Sequence, residues 1–191
     1  GDVYKRQVRY EAKNLLYKAI LPLIIYMAPT LAYSEQKVFI LGDSITHGFG
    51  LAVEDGLVNQ LSNWFASEGL NITFINGGVS GDTTAGGLER LSWSLTDDVS
   101  ALVVALGAND VLRGFPPWLT RENLSAIIDI AENNKTPVLL VGTYAPGNYG
   151  KQYKLDFDAI FTDLVEERRI AYIDSYFKPC LLYTSDAADE P

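Results

Sequence analysis

Gly42-Asp43-Ser44 follows the apolar run Val38-Phe39-Ile40-Leu41 directly. A strand that ends in a small-residue turn holds a serine hydroxyl at the mouth of a parallel sheet, where a carbonyl can reach it. Two further polar turns share that setting. Asn76-Gly77-Gly78-Val79-Ser80-Gly81-Asp82-Thr83 follows Ile72-Thr73-Phe74-Ile75, and Gly107-Ala108-Asn109-Asp110 follows the apolar run 101–106. Ser44 is the candidate nucleophile. Its hydroxyl is weak until a base takes the proton, and the oxyanion formed on the attacked carbonyl needs donors. The N–H of Ser44, the N–H of Gly81 and the side-chain amide of Asn109 can supply three. Glycine at 81 permits close approach and positive φ, and asparagine at 109 donates without a competing charge. Taken singly, Gly-Asp-Ser is a common turn and Gly-x-Asn-Asp can simply cap a helix. Their succession after consecutive strands points to acyl transfer.

The elements that position these turns alternate along the chain. Apolar runs predict strands over 37–41, 72–75, 101–106, 137–141 and 170–173. Helical periodicity predicts helices over 54–68, 86–95, 120–132 and 153–168, with Thr120 as an N-cap. Leu124, Ile127, Ile128 and Ala131 share one helix face, and Leu155, Phe157, Ile160, Phe161 and Leu164 form the apolar set of the last helix. Strands that alternate with helices imply right-handed crossovers and a parallel sheet with both faces covered. The expected architecture is an α/β, doubly wound five-stranded sheet of order 2-1-3-4-5. Strand 1 then lies between strands 2 and 3, so the turns bearing Ser44, Gly81 and Asn109 meet on one edge.

Composition narrows the chemistry. The 191 residues carry 15 Lys and Arg against 24 Asp and Glu, a net charge of −9. Such an acidic balance argues against nucleic acid as a partner, because phosphate backbones are bound by clustered Lys and Arg. Both ends read as non-native. Asp2-Val3-Tyr4-Lys5-Arg6-Gln7 can be encoded by GAT GTG TAT AAG AGA CAG, and Cys180-Leu181-Leu182-Tyr183-Thr184-Ser185 by TGT CTC TTA TAC ACA TCT. Up to a one-base frame offset these are reverse complements, and both resemble a translated transposon-type sequencing adapter. Residues 1–7 and 180–191 are therefore set apart as scars. With Cys180 set aside, no cysteine is left for a disulfide or thiolate metal site. Residues 8–32 read as a secretory signal: Arg9, Lys13 and Lys18, an apolar stretch over 19–28, then Thr30-Leu31-Ala32. The stretch falls short of the roughly 20 apolar residues a span needs, so no stable membrane span is expected after cleavage. The expectation is an exported protein, periplasmic or secreted, with one domain over 33–179.

Gly42-Asp43-Ser44, Gly81 and Gly107-Ala108-Asn109-Asp110 resemble the first three conserved blocks of the SGNH (GDSL-type) esterase and lipase superfamily. Ser80-Gly81-Asp82-Thr83-Thr84, Leu106-Gly107-Ala108-Asn109-Asp110 with Leu112-Arg113-Gly114-Phe115, and Asn148-Tyr149-Gly150-Lys151-Gln152-Tyr153 are similar to its bacterial multifunctional thioesterase, lysophospholipase and arylesterase subgroup. The resemblance spans about 37–178. It implies a flavodoxin-like fold, an export signal and hydrolysis of small-molecule acyl esters or thioesters, with no cofactor and no metal. It implies that Ser44, Gly81 and Asn109 form the oxyanion hole, with Ser44 also the nucleophile. Substrate-binding positions are implied at Asp43, Val111, Leu112, Gly114, Phe115, Pro146 and Tyr149, and Pro116-Pro117 would stiffen the end of the acyl-binding loop.

The departure from the family pattern concerns the base. The family carries it in a C-terminal Asp-x-x-His block, whereas this sequence has one histidine, His47. Asp174 is followed three residues later by Phe177, so it does not start such a block. The triad Asp and His are therefore expected to be absent, the domain incomplete at its C-terminal side with its final helix missing, and this chain a poor catalyst. If a helix begins at Ser44, His47 shares its face. No obvious acid orients it, so it reads as a residue at the cleft entrance. Asp43 and Ser44 should point to opposite faces, which makes Asp43 an anchor for neighbouring turns rather than a triad acid. Asp82 and Asp110 read as caps of the helices after their turns, and Trp64, Trp93 and Trp118 as packing or surface residues. Two other readings stay open: a carbohydrate O-deacetylase of the same superfamily, and a non-catalytic flavodoxin-like binding module. Phosphate binding is disfavoured, because Asp82 puts a carboxylate where phosphate would sit.

Overall fold

The computed structural model describes residues 35–176. The expectations for the signal segment and for both adapter-like ends lie outside these residues. Five parallel strands form one sheet: β1 Gln36–Gly42, β2 Ile72–Gly78, β3 Ala101–Ala105, β4 Val138–Val141 and β5 Ala171–Ile173. Their order is β2-β1-β3-β4-β5, as the alternation predicts. The register levels the strand ends. Gly42 of β1 pairs with Gly78 of β2 and with Ala105 of β3. Three turns therefore leave the sheet side by side at its carboxyl edge.

Helices cover both faces. Among the described residues there are six: α1 Ser44–His47, α2 Leu57–Ser67, α3 Thr84–Ser94, α4 Ala108–Leu112, α5 Pro117–Asn133 and α6 Lys151–Arg168. Alternate strand residues divide the core in two. Phe39, Leu41, Leu102, Val104 and Leu140 pack with Leu91 of α3, Leu124, Ile127 and Ile128 of α5, and Phe157, Ile160 and Phe161 of α6. Val38, Ile40, Val103 and Leu139 face the other way, onto Val58, Leu61 and Phe65 of α2. Each fully buried side chain of this size contributes about 1.5–3 kcal/mol. No helix among the described residues is long and apolar enough to cross a membrane.

Four local expectations are corrected. The helix expected over 54–68 is a 3₁₀ turn, Val53–Asp55, followed by α2, because Gly56 between them is extended at φ −62°, ψ 146°. Thr120 does not cap α5. That helix starts three residues earlier, with Pro117 at its first position, where proline's missing N–H costs nothing. Thr120 is instead buried, its hydroxyl donating to Asp110 at 3.3 Å. Thr83, not Asp82, caps α3, accepting from the Gly86 N–H. Leu155 is 55% exposed and stays outside the α6 apolar face.

The Gly77-Gly78 pair ends β2 beneath α1. A Cβ at Gly78 would strike the backbone of Thr46 and His47. Backbone against backbone cannot yield as a flexible side chain can, so Gly78→Ala is expected to cost about 1–3 kcal/mol. Urea denaturation would show it as a lowered midpoint at constant slope.

Candidate active site

Asp43 sets the turn after β1. It is 3% exposed, and its Oδ1 accepts from the Ile45 N–H at 3.0 Å, which caps α1. Ser44 is thereby fixed as the first residue of α1, half-buried at the end of the sheet. Burial pushes the Asp43 carboxyl above its ordinary pKa range, and the charges of Asp82 and Asp110 add to this, against the Ile45 bond that favours the ionised form. Asp43 thus anchors the turn through this cap; β1 ends at Gly42, so strand alternation does not reach Asp43 and Ser44.

Gly81 lies in the turn after β2 at φ +80°, in the left-handed region that a side chain resists. The turn is held from three directions. Arg113 Nη2 donates to Gly81 O at 2.7 Å. Asn109 Nδ2 donates to Asp82 O at 2.9 Å. Arg90 donates to the Asp82 carboxylate at 2.8 Å and to Gly42 O at 3.1 Å, tying this turn to the end of β1.

Asn109 decides whether the three turns converge. It sits in the first turn of α4, and the same Nδ2 lies 3.4 Å from Asp43 Oδ2. One carboxamide thus touches the residue before Ser44 and the residue after Gly81. The bond to Asp82 O orients the amide. The longer contact to Asp43 is weak at this distance, leaving an N–H that can turn towards a substrate oxygen. Beside Ser44 a small apolar pocket opens, lined by Asp43, Ile45, Leu106, Ala108, Gly142 and Tyr176. Burial, with Asp43 nearby, pushes the Tyr176 phenol above its ordinary pKa.

The remaining predicted residues divide. Asp110 does not cap its own helix. It is fully buried inside α4, where it accepts from the Thr84 N–H at 2.9 Å and from the Thr84 hydroxyl, so it caps α3 from across the site. Val111 is 3% exposed and packs in the core beneath the loop. Leu112 is 68% exposed; Gly114 and Phe115 are half-buried, and Pro146 and Tyr149 are exposed. Trp93 and Trp118 lie on the surface.

His47 is exposed, and its Nδ1 hydrogen-bonds Gly78 O at 3.3 Å. It lines a separate cleft of about 420 Å³ on the β2 side of α1, with Leu51, Val53, Asn59 and Asn76. Among the described residues no side chain hydrogen-bonds the Ser44 hydroxyl. Arg90 and Arg113 are the site residues that the sequence reading left without a role. For Arg90 the signal was its place two helical turns after Asp82, on the side of α3 that returns to the turn.

Comparison with known proteins decides the family. Residues 40–190 match the GDSL-like Lipase/Acylhydrolase family. The chain belongs to that family. It is 35% identical over 153 residues to an arylesterase of Vibrio mimicus, covering 79% of this chain and 76% of that one. It is 32% identical over 174 residues to thioesterase 1/protease 1/lysophospholipase L1 of Escherichia coli, covering 87% and 82%. The crystal structure of AlinE4, an SGNH-hydrolase family esterase, superposes with a TM-score of 0.72 at 35% identity, over 83% of this chain and 82% of that one. Membership makes the chain an ester hydrolase of the SGNH type, and the level ends of β2, β1 and β3 are where such a fold places its chemistry.

Proposed function

We propose that the chain is an exported serine esterase acting on acyl esters and thioesters, with Ser44 as nucleophile and the N–H of Ser44, the N–H of Gly81 and the carboxamide of Asn109 as oxyanion donors. The observation that carries this is the bridging position of Asn109 Nδ2, 2.9 Å from Asp82 O and 3.4 Å from Asp43 Oδ2. The names of the relatives, arylesterase and thioesterase/lysophospholipase, support the choice of acyl substrates with varied leaving groups. Ser44 Oγ attacks the carbonyl carbon as its proton passes to a base. The carbonyl electron pair moves onto oxygen, facing the three donors. Collapse of the intermediate breaks the bond to the alcohol or thiol, which takes a proton and leaves, and water then releases the acyl group from Ser44. The exposed Leu112, Pro146 and Tyr149, with Gly114 and Phe115, form the rim along which the acyl chain lies. Residues 33–179 are the catalytic domain, preceded by a signal for export.

The base is the weak point of this sequence. Its single histidine is engaged with Gly78 O. The 191-residue chain is therefore a slow catalyst in water, limited to what the oxyanion donors supply, about a thousandfold over solution. Imidazole in the buffer, small enough to enter the cleft, should act as the missing base and raise hydrolysis of p-nitrophenyl acetate with a saturating dependence. Full activity without imidazole would reject this part of the reading. In imidazole, Asn109→Ala should lower kcat by about 10²–10³ with KM little changed, since a donor aimed at the oxyanion acts mainly in the transition state. Unchanged kcat would remove Asn109 from the donor set.

A further inference from the structure

We propose that Arg113 is a positioning residue for the oxyanion turn: its guanidinium holds the Gly81 carbonyl and thereby sets the direction of the Gly81 N–H. The inference rests on the donor role proposed above for Gly81. Glycine at φ +80° has wide freedom in ψ, so the turn must be fixed from outside. Asn109 and Arg90 hold Asp82, one residue further on. Arg113 holds the Gly81 carbonyl itself, at 2.7 Å. That carbonyl shares its peptide plane with the Asp82 N–H, which donates to Val79 O at 3.0 Å. The planar Gly81–Asp82 peptide, gripped at both ends, restricts rotation about Gly81 ψ, the torsion that links it to the preceding peptide bearing the Gly81 N–H.

Among the described residues the guanidinium has no second hydrogen-bond partner. In a chain of net charge −9, Arg113 makes no ion pair among the described residues, although it is exposed. A charge-assisted bond to a carbonyl is roughly twice as strong as a neutral one, which suits a clamp at the surface. The backbone on either side of Arg113 is itself pinned. The Tyr149 hydroxyl donates to Leu112 O at 3.1 Å, and the Tyr153 hydroxyl donates to Phe115 O at 2.7 Å. Tyr149 and Tyr153 lie 5.0 Å apart, ring to ring, and Tyr153 stacks on the buried Phe157. Placement thus passes from the α6 core, through two phenols, to the 112–115 loop, and by Arg113 to Gly81. The loop that bears the acyl-chain rim also holds the oxyanion donor.

The test compares Arg113→Met, which keeps the apolar stem, with Arg113→Lys and Ser44→Ala, in imidazole-supported hydrolysis of p-nitrophenyl acetate. This neutral substrate offers nothing for a cation to recognise. Arg113→Met should lower kcat about ten- to a hundredfold, the range expected when a reacting geometry loosens by about an ångström, with KM and the melting temperature unchanged. Arg113→Lys should recover part of the loss, because an ammonium can reach one acceptor but lacks the planar fork. Millimolar guanidinium chloride should partly restore Arg113→Met. An unchanged kcat, an effect on KM alone, or a fall in kcat matched by a fall in melting temperature would each overturn the proposal. If Ser44→Ala abolishes turnover while Arg113→Met matches the unaltered chain, the inference fails alone. If Ser44→Ala leaves turnover intact, the site reading fails and takes the inference with it.

Discussion

Ser44→Ala is expected to abolish the saturable, protein-dependent part of the imidazole-supported hydrolysis of p-nitrophenyl acetate, a loss of about a thousandfold or more that leaves only the linear reaction of imidazole itself with the ester. The two halves of the reaction explain why this is the largest effect. A missing base can be replaced from solution, because a proton acceptor needs only to reach the hydroxyl. A missing nucleophile cannot, because the acyl group must be transferred to an atom already held against the oxyanion donors. The variant should fold as before. Ser44 is half-buried and no described side chain bonds its hydroxyl, while the cap of α1 is made by Asp43. A melting temperature within about a degree of the parent's would place the loss in chemistry rather than in folding. If the variant still shows saturable dependence on imidazole, the acyl group is being taken by another residue.

Asp110→Ala should be the most destabilising single change, at about 3–5 kcal/mol, because it strands several buried donors at once. Asp110 is fully buried. It accepts from the Thr84 N–H at 2.9 Å, from the Thr84 hydroxyl, and from the Thr120 hydroxyl at 3.3 Å. Asn123 Nδ2 extends the network to Thr84 Oγ1 at 3.1 Å. One carboxylate therefore joins the starts of α3 and α5 to α4, whose first turn carries Asn109. In a domain of this size the loss corresponds to a fall in melting temperature of roughly 10 °C. Asp110→Asn keeps one acceptor oxygen and should lose about half as much. Equal stability of Asp110→Ala and the parent would show that the network is not holding these helices.

The sheet was legible because its strands are nearly uninterrupted apolar runs. A strand buried on both faces must read that way, and helices between such runs leave little choice but a parallel sheet. The ends of elements were harder to read. Gly56 breaks a helix that its periodicity would continue, and the backbone angle responsible is a local choice open to any glycine. Thr120 resembles an N-cap in type but serves Asp110, ten residues away. The same hydroxyl can do either, and tertiary packing decides.

The site shows the same division. The places of Ser44, Gly81 and Asn109 in the fold were legible because each follows a strand end and the topology brings those ends level. The side chains that hold those turns in place were not. Asp110 reads as a cap of its own helix yet caps α3 instead. Nothing in the spacing of Arg113 and Gly81 announces a bond across 32 residues. Such contacts depend on where a loop lands, and only the fold determines that. His47 illustrates the opposite case. Its spacing from Ser44 invites a catalytic pair, but Gly78 O lies where its ring nitrogen finds a partner.

A crystal structure of the chain after reaction with a fluorophosphonate ester in imidazole buffer would show whether Ser44, Gly81 and Asn109 act on one oxygen. The phosphonyl group mimics the tetrahedral intermediate, so its oxygen marks where an oxyanion would sit. One phosphonyl group is expected on Ser44 Oγ, with that oxygen about 2.7–3.1 Å from the Ser44 N–H nitrogen, the Gly81 N–H nitrogen and Asn109 Nδ2. An adduct on a different residue, or an oxygen turned to solvent with Gly81 and Asn109 out of reach, would contradict it.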